Sequence, residues 1–349
     1  MNSNHSSVTS PRRYHIVMWS MAVVMVVLFI ACLVFGSVDI PLSDVFGSLT
    51  GGEVSRATSR VIVLETRLPM ACTAMLAGAA LSIAGLLMQT TFDNPLAGPS
   101  ILGISTGSSL GVAIVMLALG GSIGGVMGSS LSALIGALLG AGVIMLVLLA
   151  FSSIVKNSVM LLIIGIMVSH LASSAISLLN FFSTQEGVHS YVIWGLGNFS
   201  GVTLERLPIF AILVVVSLIL SMMLVKPLNA LLLGVRYAEN LGVNIRGTRN
   251  RLLVLSGVLT AVVTAFCGPI GFIGLIVPHI ARLSLRSSNH IVLLPATALA
   301  GAVVALLCTL ISVVPSASGI IPINAITPII GVPIIIYIIV NRKRIPYFN

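Results

Sequence analysis

Long apolar stretches separated by short polar segments dominate the pattern along this chain. Ten of them are candidate membrane spans: 16–36, 68–90, 101–119, 126–151, 159–180, 207–225, 251–267, 270–283, 291–314 and 325–341. A helix of about 20 apolar residues crosses the hydrocarbon core of a bilayer. The pattern therefore predicts an all-α integral membrane protein, with one domain of about ten transmembrane helices over residues 1–349.

Two regions depart from regular spans. Gly268, Pro269, Gly271, Gly274 and Pro278 interrupt the seventh and eighth spans, and such breaks at membrane depth are tolerated where protein or a water-filled cavity covers the freed backbone groups. The mostly polar segment 184–200 carries Tyr191 and Trp194 and is predicted to be a short interfacial helix.

Composition supports a membrane protein over a soluble one. Only 7% of the residues are charged and 57% are hydrophobic, with a mean hydropathy of +1.16, whereas soluble domains carry about 25% charged residues. The net charge of +9 does not indicate nucleic-acid binding, because the basic residues lie between apolar runs and form no clustered stripe with aromatics.

The distribution of basic residues predicts the orientation. With the amino terminus in the cytoplasm, the inside loops hold thirteen of the 17 basic residues: Arg12, Arg13, Lys156, Lys226, Arg236, Arg246, Arg249, Arg251, Arg282, Arg286, Arg342, Lys343 and Arg344. The outside loops hold Arg56, Arg60, Arg67 and Arg206. The positive-inside rule then places both termini in the cytoplasm. The first run, 16–36, is predicted to be a retained helix, since it is longer than a signal-peptide core.

No enzymatic site is recognisable. The chain lacks the GxxxxGK[ST] phosphate loop, so it has no nucleotide-hydrolysing site of that kind. The four cysteines show no CxxC or Cys/His spacing, which predicts no metal site and favours buried packing. The predicted spans contain almost no acidic or basic groups, which disfavours an ion-coupled carrier without excluding sodium binding by backbone carbonyls.

Small and polar residues recur at helical spacing within the spans. Gly78 and Gly85, and the pair Gly136 and Gly140, predict close helix packing. The fifth span carries a polar stripe, which indicates either hydrogen bonding between helices or the wall of a pore: Ser169, His170, Ser173, Ser174, Ser177 and Asn180. His170 is more simply explained as a packed or bonded histidine than as a ligand.

The most distinctive loop is residues 233–246, within a cytoplasmic segment of about 226–250. Gly234 and Gly242 bound a short segment of mixed polarity, in which Arg236 and Glu239 are spaced to pair on one helical face. The segment is either a solvated loop or a short helix that docks on another protein.

Three blocks carry a resemblance to a known family. The first contains Arg67-Leu-Pro, Gly78-Ala-Ala-Leu, Gln89, Asn94-Pro-Leu-Ala-Gly-Pro and Leu102-Gly. The second runs from Leu233-Gly-Val to Leu241-Gly-Val-Asn and continues with the fifteen residues 268–282. The third is Pro322-Ile-Asn-Ala-Ile-Thr with Gly331-Val-Pro. The chain resembles the permease subunits of bacterial ATP-driven importers for ferric siderophores, haem and cobalamin.

The resemblance implies a ten-helix permease in the bacterial cytoplasmic membrane and a defined set of partners. These are a second copy of the chain, two ATP-binding-cassette ATPase subunits, a periplasmic or surface-tethered substrate-binding protein and membrane lipid, with no nucleic acid. No cofactor is expected on this chain, because ATP and Mg²⁺ belong to the ATPase. An iron chelate (ferric siderophore or haem) is the expected substrate and cobalamin the alternative; an ion-coupled carrier and a structural scaffold are further alternatives.

The resemblance also implies roles for individual residues. ATPase coupling is expected from Gly234, Arg236, Glu239, Leu241, Gly242 and Val243. The translocation path or gate is expected to include Asn157, Ser158, Ser169, His170, Ser173, Ser177, Asn324 and Thr327, with an ordinary helix cap as the other interpretation of Asn157 and Ser158. Docking of the binding protein is expected from Arg56, Arg60 and Arg67, with local neutralisation by Glu53 and Glu65 as the alternative.

The chain departs from the family pattern at several positions. Residues that are often charged in the family are replaced by Met70, Thr309, Val313 and Ile320, and an Arg that often precedes Asn-Pro-Leu-Ala is Asp93. These replacements remove charge from the predicted outer face.

Overall fold

The computed structural model describes residues 11–118, 129–155, 157–313 and 321–340. Every regular element within them is helical, which confirms the predicted all-α fold. In chain order the helices are α1 (Pro11–Val34), α2 (Leu42–Thr50), α3 (Ala57–Val61), α4 (Leu68–Thr91), α5 (Ile104–Ala113), α6 (Ser129–Ile154), α7 (Ser158–Phe182), α8 (Gln185–Gly195), α9 (Leu207–Met222), α10 (Val225–Leu231), α11 (Val235–Asn240), α12 (Ile245–Cys267), α13 (Ile273–Leu285), α14 (His290–Val313) and α15 (Ile323–Val340).

A helix occupies each of the ten predicted spans, but the helices differ in length. As far as the described residues extend, six are long and apolar enough to cross a bilayer: Arg12–Val34, Ala57–Thr91, Leu131–Ile154, Ser158–Phe182, Ile245–Cys267 and His290–Val313. The pair α9 and α10, bent by 54°, makes a seventh if it counts as one span. The other three are shorter apolar helices: Ile104–Ala118, Ile273–Leu285 and Ile323–Ile338. The count of ten membrane crossings therefore stays a prediction.

Local capping and π-helical turns move some boundaries away from the predicted ones. The second span starts earlier than expected, because a π-helical turn over Ile62–Arg67 joins α3 to α4. α12 also starts early, at a cap where Asn244 Oδ1 accepts a hydrogen bond from Gly247 N at 2.8 Å. The predicted interfacial helix is α8, where Thr184 Oγ1 accepts a hydrogen bond from Gly187 N at 3.3 Å. α2 was not predicted.

Helix α4 lies at the centre of the bundle, packed against α12, α13 and α14. Its predicted small residues make the closest contacts. A Cβ atom added at Gly78 would lie 2.2 Å from Gly301 O, and one added at Gly85 would lie 1.7 Å from Gly274 O. Only glycine allows these backbones to approach so closely, as expected where packing drives helix association in lipid.

A second glycine interface joins α5 to α6. A Cβ atom at Gly140 would lie 2.0 Å from Gly107 O, and one at Gly111 would lie 1.9 Å from Gly136 O. The predicted pair Gly136 and Gly140 therefore faces a matching pair in α5, which confirms the predicted close packing.

Large faces of α1 and α7 are not covered by the parts of the chain that the structure describes. In the most apolar stretch of each helix, 11% of α1 and 17% of α7 are buried. The corresponding share is 83% in the span that contains α4. Apolar side chains on these faces include Trp19 at 71% exposed, Leu171 at 73% and Phe181 at 79%. Such faces suit contact with lipid or with another membrane chain.

Three of the four cysteines are buried and Cys72 is half-buried, in agreement with the packing interpretation. Some predicted features lie outside the described residues. They are the end of the third span and the start of the fourth within 119–128, Lys156, Ile320 and the basic residues Arg342, Lys343 and Arg344.

Candidate functional site

A cavity of about 590 Å³ opens in the wall formed by α5, α7, α8 and α15. Most of its lining side chains carry a hydroxyl or an amide. The lining consists of Ser100, Ser105, Thr106, Ser109, Ser173, Ile176, Ser177, Tyr191, Pro269, Ile270, Gly271, Phe272, Asn324 and Pro328. The wall combines hydrogen-bonding groups with small apolar surfaces.

Two helices bring their hydroxyls to the cavity through the same spacing. Ser105 and Ser109 on α5, like Ser173 and Ser177 on α7, lie four residues apart and share a helical face. Ser177 Oγ also donates to Ser173 O at 3.0 Å, so part of its hydrogen-bonding capacity is used within its own helix.

The cavity contains only some of the residues predicted for the translocation path. Ser173, Ser177 and Asn324 line it. Ser169 does not: its hydroxyl donates to Gly165 O at 2.8 Å and its side chain packs beside Gly103. His170 is exposed on α7 but is not part of the lining.

The remaining predicted path residues lie elsewhere. Asn157 is the amino-terminal cap of α7, where its Oδ1 accepts a hydrogen bond from Val159 N at 2.8 Å, and Ser158 follows it. Thr327 is buried in α15 and lies outside the lining. The cap interpretation of Asn157 is confirmed, while its role in a gate is a separate prediction.

Sequence reasoning missed the α5 side of the cavity. Ser105, Thr106 and Ser109 repeat the polar spacing that singled out α7, so the same pattern could have identified them. Tyr191 was noted only as an interfacial aromatic, and it stacks on Trp194 with ring centroids 6.1 Å apart. For residues 269–272, which also line the cavity, the sequence offered only the glycine and proline break and no polar spacing.

Asn324 connects three chain segments at the cavity wall. Its Oδ1 accepts a hydrogen bond from Gly271 N at 3.1 Å. Its Nδ2 donates to Pro269 O at 2.6 Å and to Gly195 O at 3.3 Å. The side chain therefore joins the start of α15 to the end of α8 and to the broken segment that precedes α13.

The predicted coupling loop contains a short helix, α11, bounded by two glycines. Gly234 has φ +93° and Gly242 has φ +81°, a region that favours glycine. Apolar side chains are exposed on and around the helix: Leu232, Leu233, Val235, Tyr237 and Leu241. Of the two interpretations of this segment, the structure shows the short helix. Arg236 and Glu239 are both exposed and form no ion pair within this described segment.

A part-buried polar network ties this coupling segment to the bundle. Asn229 Oδ1, on α10, lies 3.0 Å from His290 Nδ1 and accepts a hydrogen bond from His290 N at 2.8 Å. His290 Nε2 lies 3.0 Å from Thr90 Oγ1, at the end of α4. Nearby, Arg282 Nη1 donates to Gln89 Oε1 at 2.6 Å. A displacement of α10 would therefore act directly on the ends of α4 and α14.

The three arginines predicted to dock the binding protein do not share one environment. Arg56 is exposed and Arg60 is half-buried. Arg67 is only 3% exposed, and its guanidinium donates to Leu33 O at 2.9 Å, to Val34 O at 2.6 Å and to Val38 O. The donors of Arg67 are therefore used at the end of α1 and leave little of the side chain exposed, while docking at Arg67 stays a prediction.

Arginine caps of this kind recur in the bundle. Arg13 donates to Ser284 O near the end of α13, and Arg249 donates to Val155 O just past the end of α6. Cations at helix carboxyl termini satisfy carbonyls that have no partner inside the helix and complement the helix dipole.

No group of three or more His, Cys, Asp or Glu side chains suited to a metal ion occurs in the described part of the chain.

Comparisons with known proteins agree with this arrangement. Residues 24–341 match the model of the FecCD transport family. The vitamin B12 import system permease protein BtuC of Citrobacter koseri is 34% identical over 294 residues, covering 84% of this chain and 87% of that protein. BtuC of Salmonella typhimurium is 36% identical, with 84% and 88% covered.

A solved structure shows the same fold. It is described as an inward-facing conformation of an ABC transporter assigned to the metal-chelate type. The match has a TM-score of 0.80 at 29% identity and covers 93% of this chain and 98% of that one. The family model and the similarity to BtuC over most of both chains lead to one conclusion: the chain belongs to the FecCD transport family.

Proposed function

We propose that the chain is the permease subunit of an ATP-binding-cassette importer that moves an iron chelate, such as a ferric siderophore or haem, across the bacterial cytoplasmic membrane. The observation that carries this proposal is the hydroxyl-lined cavity, built from elements that lie within the family match. Its hydrogen-bonding wall suits a large ligand that must be released again.

Cobalamin is the second candidate substrate. The relatives BtuC of Citrobacter koseri and Salmonella typhimurium are vitamin B12 permeases. Their similarity supports cobalamin as the substrate to the same degree as the family supports an iron chelate. The uncharged hydroxyls and amide of the lining can hydrogen-bond to either class of ligand.

Energy for transport would come from two separate ATPase subunits, which carry the ATP and Mg²⁺. The sequence has no phosphate loop of its own. The exposed apolar side chains around α11, among them Leu233, Tyr237 and Leu241, offer a docking surface. The network of Asn229, His290 and Thr90 would carry a movement of that surface into the bundle.

In this arrangement the coupling segment faces the cytoplasm, as the basic loops predict. Both termini would then be cytoplasmic. α2, α8 and the start of α15 would lie towards the outside, where Arg56 and Arg60 could contact acidic residues of a periplasmic or surface-tethered binding protein.

A second copy of the chain would complete the path. The exposed face of α7 places Ser173, His170 and several apolar side chains where a partner could cover them. In a two-fold dimer the two α7 helices would face each other, with Asn157 and Ser158 near an inner constriction. Single cysteines at these positions are expected to cross-link two copies in at least one nucleotide state, and failure in every state would place the gate elsewhere.

The decisive experiment is uptake by the chain reconstituted in liposomes with its ATPase and binding protein. Labelled ferric siderophore, haem and cobalamin would be offered separately. We expect ATP-dependent accumulation of one class, and none with an ATPase variant that cannot hydrolyse ATP. Uptake driven by an ion gradient without ATP would contradict the proposal and favour an ion-coupled carrier.

A further inference from the structure

Three chain segments meet at one end of the cavity wall, and backbone hydrogen bonds join them. Asn198 N, just after α8, donates to Cys267 O at the end of α12 at 2.8 Å. Asn324 N, at the start of α15, donates to Leu196 O at 3.4 Å. We name this contact of residues 195–198, 267–272 and 323–324 the outer junction, following the proposed orientation.

The side chain of Asn324 uses all of its donors in this junction. A primary amide offers two N–H donors and one carbonyl oxygen. Both donors bond to backbone carbonyls, of Pro269 and Gly195, and the oxygen accepts from Gly271 N. These partners fix the orientation of the amide, because a flipped side chain would set its oxygen against two carbonyl oxygens.

The backbone at the junction is both tight and strained. A Cβ atom at Gly268 would lie 2.5 Å from Trp194 O, so α8 and the broken segment are in direct backbone contact. Phe272, which lines the cavity, has φ +66° and ψ −36°, a conformation that bulky L-residues rarely adopt. Such strain persists only where surrounding contacts hold it, and it occurs often at switching segments.

We propose that Asn324 is the latch of an outer gate, a positioning residue whose amide holds α8 against segment 267–272 and so closes the cavity on that side. This inference rests on the proposed transport function. Opening the cavity outward separates α8 from the broken segment, and the two donor bonds of Asn324 must break for that movement. Release of the latch also lets the backbone at Phe272 relax.

Trp194 provides a local reporter of the junction. The chain has two tryptophans, so a Trp19→Phe background leaves Trp194 as the only one. Iodide quenching of Trp194 fluorescence would be measured on the chain assembled with its ATPase in liposomes, in nucleotide-free, ATP-analogue-bound and vanadate-trapped states. In the background protein we expect the quenching constant to change between states as the gate opens and closes.

Two substitutions separate the latch from ordinary packing. Asn324→Ala removes all three hydrogen bonds and is expected to show the high quenching constant in every state, about twofold or more above the closed background. Asn324→Asp keeps an acceptor for Gly271 N but lacks both donors when ionised, so near pH 8 it should behave like Asn324→Ala. A protonated carboxyl regains one donor. Closure should therefore return as the pH falls towards about 5, since the two carbonyl oxygens of Pro269 and Gly195 that face this position favour the protonated form and raise the pKa of a carboxyl there.

Asn198→Ala is the matched control. Among the described residues, its side-chain oxygen bonds within its own turn alone, to Ser200 N at 2.8 Å and Ser200 Oγ at 2.9 Å. This variant is expected to retain the state-dependent quenching of the background, with no dependence on pH beyond that of the background.

The outcomes are distinct. If Asn324→Ala, or Asn324→Asp near pH 8, keeps the full change in the quenching constant between states, the proposal that Asn324 is a latch is refuted. If Asn324→Ala does not assemble, the pH series of Asn324→Asp decides: recovery of closure in acid supports the latch, and a flat series refutes it. Quenching needs no transported substrate, so a complex that imports none of the three ligands would refute the proposed function while the latch is still judged by Trp194.

Discussion

Arg67 Nη1 donates a hydrogen bond to Leu33 O at 2.9 Å and so closes the carboxyl end of α1. The guanidinium lies against Gly36, where an added Cβ atom would be 2.6 Å from Nη2. Arg67 is 3% exposed, and its guanidinium donates hydrogen bonds to three backbone carbonyls of the same chain. An arginine that belongs to a family motif thus anchors the first helix.

The first prediction follows from this cap. Arg67→Ala should lower the free energy of unfolding by about 1.5–3 kcal/mol, because charge-assisted hydrogen bonds to three backbone carbonyls are lost. The measurement is thermal denaturation of the purified chain in detergent. Arg56→Ala, which removes an exposed arginine, is the control and should change stability by less than about 0.5 kcal/mol. An Arg67→Ala protein of normal stability that fails to bind its binding protein would instead support docking at Arg67.

The second prediction concerns the two arginines that remain available for docking. Charge reversal in the double variant Arg56→Glu, Arg60→Glu should weaken association with the binding protein, by about 0.2–1 kcal/mol for each pair lost. The residual binding should also depend less on salt. Titrations over a salt series measure both effects. Arg206→Glu, with a substitution of the same type at another predicted outer position, controls for general charge effects; equal affinity in wild type and the double variant at every salt concentration would show that these arginines only mark topology.

The third prediction tests the coupling segment. Gly242 has φ +81° and no heavy atom within 4 Å of an added Cβ, so a side chain there acts through backbone strain rather than through a clash. Gly242→Val should distort the turn after α11, at a cost of about 1–2 kcal/mol for a left-handed conformation. Ligand uptake per ATP hydrolysed should fall about tenfold.

Gly242→Asn is the matched control, because asparagine enters the left-handed region more readily than valine. It should retain most of the coupling. Coupled uptake at the wild-type level in Gly242→Val would argue against a role of this turn in docking the ATPase.

The fourth prediction addresses the glycine interface between α4 and α13. Gly85→Ala would place its Cβ atom 1.7 Å from Gly274 O, so the two helices must separate. Overpacking of this kind costs about 1–3 kcal/mol or more. Gly142→Ala, in α6, meets nothing within 4 Å and should leave stability unchanged or raise it by about 0.5–1 kcal/mol. Thermal denaturation of both variants would test the contrast, and equal stabilities would contradict the predicted contact.

The fifth prediction concerns pH and the segment between α1 and α3, where Asp44 lies in α2. Asp44 Oδ1 accepts hydrogen bonds from Ser55 N at 3.0 Å and Ser55 Oγ at 2.8 Å. The backbone N–H of Ser55, followed by its hydroxyl, holds the pKa of Asp44 below its usual range. A carboxyl with a lowered folded-state pKa stabilises the protein above its unfolded-state pKa, about 3.9. This stabilisation is lost as the pH falls through the folded-state pKa.

The difference in thermal stability between wild type and Asp44→Asn should therefore be largest near neutral pH and should shrink below about pH 4. The measurement is a denaturation series over pH. Ser55→Ala removes one of the two bonds and should give a smaller pH-dependent difference, whereas a difference that does not vary with pH would contradict the assignment.

The sequence determined the helical, membrane-embedded character of this protein, and the reason is local. Runs of apolar residues and caps such as Asn157 act within a single helix. Glycine pairs such as Gly136 and Gly140 mark where two helices can approach closely. The three motif blocks also identified the family, because their order and spacing can be read from the chain without knowing which residues are in contact.

Only the tertiary structure decided what individual polar side chains do. From the sequence, Arg67 could be a docking residue or a charge neutralised by Glu53 and Glu65; its hydrogen bond to Leu33, 34 residues earlier in the chain, was visible only in the structure. Asn324 bonds to Gly195 across 129 residues, and Ser105 reaches the cavity because α5 packs beside α7. A side chain's partners depend on which segments the whole bundle brings within about 3 Å, and hydrogen bonds act only over that distance.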